Sequence, residues 1–89
     1  MKNDKQTTIE TALELDASTL PDTEYFEQQC NVEKHYNRAA ELYFQNETEL
    51  AELHVDAAYE SATYLRDMVV HDLGMGSTWG RIKREVLEQ

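Results

Sequence analysis

The chain has 89 residues, 40% of them hydrophobic and 29% charged, and a formal net charge of −10. That length holds one small domain and excludes a multi-domain enzyme. The single cysteine, Cys30, excludes an internal disulfide, and no stretch approaches the roughly 18 apolar residues of a membrane span.

Met1-Lys2-Asn3-Asp4-Lys5-Gln6 leads into no apolar run, so the sequence predicts a cytoplasmic protein without a secretory signal. The charge is unevenly spread. Residues 1–20 carry −2 and residues 74–89 carry +1, whereas residues 21–73 set twelve acids against Lys34, Arg38 and Arg66 and carry −9. A body so acidic repels nucleic acid and anionic membrane and draws in basic protein surfaces.

Few residues interrupt a helix: one proline and three glycines in all. Residues 1–20 read as an N-terminal tail, with residues 21–89 as a single helical domain. Within the tail, Thr7-Thr8-Ile9-Glu10 has the pattern of a capping box and predicts a short helix over 8–15. The alternation Ile9, Thr11, Leu13, Leu15 would also suit a strand.

Pro21 or Asp22 opens the next helix, with Asp22 and Glu24 near its positive end. Tyr25, Gln29, Val32, Tyr36, Ala39 and Tyr43 recur at spacings of four and three, a stripe flanked by Phe26, Ala40 and Phe44. At Asn46-Glu47-Thr48-Glu49 two readings stay open. Asn46 caps a second helix with Glu49 as its reciprocal partner, giving a hairpin, or one helix runs unbroken from 22 to 72. The shortness of helix connections in compact domains favours the hairpin.

The second helix is expected from about Glu47 to Asp72, with Gly74 as the residue that ends it. Leu50, Leu53, Ala57, Ala58, Ser61, Tyr64, Leu65 and Met68 cover one side, widened by Ala51, Ala62 and Val69 to about half the circumference. So wide an arc needs both terminal segments to cover it, or a second subunit, and a homodimer is expected on that ground. Ser77 caps a last helix to Leu87, which turns Trp79, Ile82 and Val86 inward and Arg81, Lys83 and Arg84 outward. The fold class is therefore all-α, a long antiparallel helical hairpin with a short C-terminal helix.

The sharpest functional feature lies on the second helix. Glu49, Glu52, Asp56, Glu60 and Asp67 fall within an arc of about 80° on a helical wheel. Carboxylates at i,i+4 stand about 6 Å apart and repel one another, and none here has a base four residues on. Regular anions on a rod imitate a phosphate backbone, so these five are the candidate residues for docking on a basic surface. The plain alternative is a solvated face opposite a core.

Other chemistry is weaker. Leu73-Gly74-Met75-Gly76-Ser77-Thr78-Trp79-Gly80-Arg81-Ile82-Lys83-Arg84 resembles the turn and reading helix of a helix-turn-helix protein, but Gly80 interrupts it and three bases oppose the acidic body. Glu24-x-x-Glu27 and Glu49-x-x-Glu52 resemble the paired-carboxylate helices of all-α nucleotide pyrophosphohydrolases, which hold magnesium with such acids. His35, His54 and His71 are scattered, and Asp67 with His71 offers two ligands where a metal site needs more. Cys30 has no basic neighbour in sequence and reads as a half-buried small residue. The sequence thus predicts a non-catalytic acidic inhibitor or adaptor with no cofactor, no metal and no direct nucleic-acid contact. Its expected partner is a nucleic-acid-processing enzyme, which suits an anti-defence or regulatory protein of a phage or mobile element. A DNA-binding regulator and a magnesium-dependent phosphohydrolase are the alternatives.

Overall fold

The computed structural model describes residues 4–20, 22–72, 74 and 76–88. Among them it contains four α-helices and no strand: α1 (Asp4–Glu14), α2 (Thr23–Phe44), α3 (Thr48–Asp67) and α4 (Gly76–Glu88). A 3₁₀ turn, Ala17–Thr19, joins α1 to α2, and a π-helical turn, Met68–Asp72, prolongs α3. The all-α class is as expected. No helix among the described residues is long and apolar enough to cross a membrane.

α1 begins earlier than the pattern predicts, and Asp4 to Gln6, expected as tail, belong to it. The capping-box reading fails, since Thr7 and Glu10 lie inside the helix. Thr7, Thr8 and Thr11 are buried, and the Thr11 hydroxyl donates to the Thr7 carbonyl at 2.7 Å. That bond satisfies the hydroxyl within its own helix, so a threonine can stand in the core. The strand alternative fails with it, because Ile9 and Ala12 face inward at helical spacing.

α2 starts where expected. Asp22 has extended backbone (φ −123°, ψ 135°) and its side chain accepts the Glu24 N–H at 3.0 Å. Pro21, the other candidate opener, lies outside the described residues. Gln29, on the predicted stripe, uses its amide rather than its bulk. Its Nε2 donates to the Ala12 carbonyl at 2.9 Å and to that of Leu15, holding the C-terminal end of α1 against α2.

The hairpin forms, by a different device from the one expected. Asn46 adopts φ 65° and ends α2 instead of capping α3. Its N–H donates to the Tyr43 carbonyl at 3.1 Å, and the Glu47 N–H donates to that of Leu42 at 2.8 Å. These are the two reversed bonds of a left-handed helix terminus, which asparagine tolerates better than other residues with a side chain. The N-cap of α3 is Glu47, without a side-chain bond to the helix.

The core lies where α1, the hairpin and α4 meet. Ile9, Val32, Leu65 and Val69 are fully buried there, closed by Trp79, Ile82 and Val86 from α4 as the sequence indicated. α1 touches all three other helices. Towards the hairpin tip, Ala39 and Ala51 are buried, and their small side chains let the two backbones approach. Met68 and Val69, at the start of the π-helical turn, are both buried in the core. Gly74, at φ +66°, then turns the chain towards α4.

The wide apolar arc of α3 is only partly covered. Ala51, Ala58, Ala62 and Leu65 are buried, but Leu50, Leu53 and Tyr64, expected on the inner side, are exposed. Tyr43, Phe26 and Phe44 of α2 are exposed too, Phe44 at 91%. α1 has eleven residues and meets one shoulder of α3, leaving the other to solvent.

Candidate functional site

All five predicted carboxylates, Glu49, Glu52, Asp56, Glu60 and Asp67, project from α3 into solvent. Their direction follows from the opposite face, since Ala51, Ala58 and Leu65 point into the core and the carboxylates stand across the helix from them. The ends of the row lie 18 residues apart, about 27 Å along the helix axis.

The row is not uniform. Lys5 Nζ reaches Asp56 Oδ1 at 2.5 Å, joining positions 51 residues apart. The Lys5 ammonium is held above its ordinary pKa of 10.5, chiefly by the hydrogen bond it donates to Asp56, with partial desolvation opposing and the charges of Asp56, Tyr59 and Glu52 adding. Arg66 Nε lies 3.6 Å from Asp67 Oδ1. Among the described residues Glu49, Glu52 and Glu60 form no salt bridge. The three carboxylates without a salt bridge span about 16 Å, with the tethered Asp56 between Glu52 and Glu60 and Asp67 beyond Glu60.

Glu60 and Asp67 also line a groove between α2 and α3, an open trough of about 520 Å³ shared with Gln28, His35, Ala57, Ser61, Thr63 and Tyr64. At its far end the Tyr64 hydroxyl donates to Glu24 Oε1 at 3.3 Å. Nearer the tip, a second trough of about 530 Å³ is lined by Lys34, His35, Asn37, Arg38, Glu41 and His54. Arg38 is engaged there by Glu41 at 2.9 Å.

Between the troughs, His35 and His54 meet with Nδ1 atoms 3.2 Å apart and ring centroids 5.4 Å apart. One ring donates and the other accepts, so their tautomers are linked. In sequence the histidines look scattered, which hides this pair. The signal was present, since His35 stands eleven residues before Asn46 and His54 eight after it. A turn at Asn46 folds two such positions together.

The residues of the alternative readings are dispersed. The bond from Tyr64 to Glu24 sets the start of α2 beside the end of α3, whereas Glu49 lies fifteen residues back along α3, about 22 Å away. The two Glu-x-x-Glu pairs therefore sit far apart along the hairpin. Among the described residues no three His, Cys, Asp or Glu side chains gather as a metal site. Arg81 and Arg84 are exposed on α4 and Lys83 is half-buried. Cys30 is exposed rather than half-buried. Set against known protein families, curated proteins and solved structures, the chain matches none of them, so no relative lends it a function.

Proposed function

We propose that this protein is a non-catalytic docking protein, an acidic inhibitor or adaptor that applies the outer edge of α3 to a basic protein surface. The observation that carries this reading is that Glu49, Glu52 and Glu60, on either side of the Lys5-paired Asp56, face solvent without a salt bridge among the described residues. Like charges so spaced cost the helix stability, and a helix that needed only a polar outer face could alternate bases with acids. The target is a surface shaped for phosphates, which nucleic-acid-processing enzymes carry, and anti-defence or regulatory work for a phage or mobile element in the cytoplasm fits that target.

The test is capture from a lysate by the tagged protein, with nuclease present to remove bridging nucleic acid. The proposal predicts a basic protein retained at low salt, released at high salt, and lost when Glu49, Glu52 and Glu60 are changed together to lysine. Capture unaffected by that triple reversal would sink it. A second reading, a homodimer, draws on exposed Leu50, Leu53 and Tyr64, and predicts recovery of the protein alone as a stable dimer. The exposed Arg81 and Arg84 favour DNA binding, which predicts duplex binding lost when Arg81, Lys83 and Arg84 become alanine.

A further inference from the structure

The carboxylate edge has an apolar neighbour on the same helix. Leu50, Leu53, Ala57 and Tyr64 follow at steps of three, four and seven residues, the spacing of a heptad seam. Leu53 is 65% exposed, Tyr64 50% and Leu50 49%. The strip runs along about 21 Å of helix axis, and its wheel position adjoins the carboxylates on the flank towards α2. The C-terminal halves of the two features share one groove, where Ala57 and Tyr64 line the wall with Glu60 and Asp67, opposite Gln28 and His35; Leu50, Leu53, Glu49 and Glu52 continue the surface beyond it towards the hairpin tip. Lys5 of α1 lies on the other flank, against Asp56 and Tyr59, so the N-terminal helix does not lie over the strip.

Charge decides between two occupants. A second copy would bring its own Glu49, Glu52 and Glu60 to the contact, within a segment that already carries −9. Like charges brought together at an interface oppose association. A partner with bases beside its apolar positions has no such penalty.

We infer that strip and edge form one docking surface for an amphipathic basic helix. The partner's apolar residues, repeating at heptad spacing, pack on Leu50, Leu53, Ala57 and Tyr64. Its lysines and arginines, on the flank of that stripe, reach Glu49, Glu52 and Glu60. This is recognition of a helix in a groove, in which buried apolar anchors fix register and flanking charges select the partner. The inference rests on the docking role proposed for the edge and adds the shape of what docks.

Two synthetic peptides of about 20 residues test it, long enough to form a helix over the strip. One carries leucine at heptad positions with lysine on the flanks, and the other has the same composition shuffled to remove the amphipathic order. Titration into the full-length protein is expected to give at least about tenfold tighter binding of the ordered peptide, the scale of one well-buried leucine. Leu50→Gln with Leu53→Gln should remove that preference at an unchanged melting temperature. If the double variant melts lower, Leu53→Gln alone, at the more exposed site, supplies the same readout. Equal binding of the two peptides, with loss only on reversal of Glu49, Glu52 and Glu60, overturns the inference and leaves the edge reading standing. No binding of either peptide overturns the inference as well, and the edge is then judged by lysate capture alone. A concentration-dependent dimer in sedimentation that the leucine substitutions dissolve would also overturn it, by giving the strip to a second copy.

Discussion

On one side of α3, Ala51, Ala58, Ala62 and Leu65 are fully buried, while a quarter-turn or so away Leu50, Leu53 and Tyr64 stand about half or more in water. Both sides are apolar in sequence, and both lie on one regular helix. They differ in what the rest of the chain brings to them. α2 and α1 cover the first, and of the second only Tyr64 borders a groove, whose opposite wall is Gln28 and His35, while Leu50 and Leu53 lie outside it. Periodicity measures how much of a helix wants cover, and only the lengths and directions of the neighbouring elements determine how much receives it.

The comparison breaks most visibly under truncation. Leu65→Ala, in the fully buried row, is expected to cost about 3 kcal/mol in chemical denaturation, while Leu53→Ala costs less than about 0.5 kcal/mol. Similar losses at the two sites would mean that the exposed strip is covered in solution. At the turn that creates both sides, Asn46→Ala must hold a side chain with a Cβ in left-handed backbone without the tolerance asparagine has. A loss of about 1 kcal/mol is expected, with Asn46→Gly near neutral in the same assay.

The buried side also depends on the seating of α1. Gln29→Ala removes the donor that holds the Ala12 and Leu15 carbonyls and is expected to cost about 1 kcal/mol. Amide exchange should then quicken in α1 before it does in α3. The smallest effect concerns Lys5 and Asp56. Because the folded-state pKa of Lys5 is raised, its contribution is fully present below its ordinary 10.5 and is lost as pH climbs through the folded value. The melting difference between the parent and Lys5→Gln should therefore shrink at strongly alkaline pH, and it should also shrink with added salt because the pair is exposed.

Much of the fold was legible because its signals are local. Asp22 as cap, Gly74 as terminator and the inward triad Trp79, Ile82 and Val86 each follow from a few adjacent residues. The reach of α1 was not, because Thr7, Thr8 and Thr11 count as polar in sequence although all three are buried, Thr11 with its hydroxyl bonded to the preceding turn. Asn46 reads in sequence as a cap for α3 because the same side chain suits a helix start and a left-handed helix end, and the structure uses it as the latter. Leu42, off the predicted stripe yet buried, shows that the packing face of α2 turns towards α3 near the tip.

For the candidate site, the exposure of Glu49, Glu52, Asp56, Glu60 and Asp67 followed from the core on the opposite face of their helix. The tether of Asp56 to Lys5 did not, since it spans 51 residues and depends on where α1 docks. The pairing of His35 with His54 likewise needed the position of the turn.

The central claim is that the edge of α3 stays charged for a partner and at a cost to its own helix. The most direct measurement pairs stability with capture in one variant, Glu52→Gln with Glu60→Gln, which leaves Lys5 and Asp56 intact. It removes the repulsions of Glu52 with Glu49 and Asp56, and of Glu60 with Asp56, each about 0.2–0.5 kcal/mol. Less the attraction between Glu52 and Lys5 that is lost with them, the account predicts a protein more stable by up to about 1 kcal/mol that captures its basic partner far more weakly at low salt. A variant that gains stability and captures the same partner as well as the parent would contradict it, and the carboxylates would then be an ordinary solvated face.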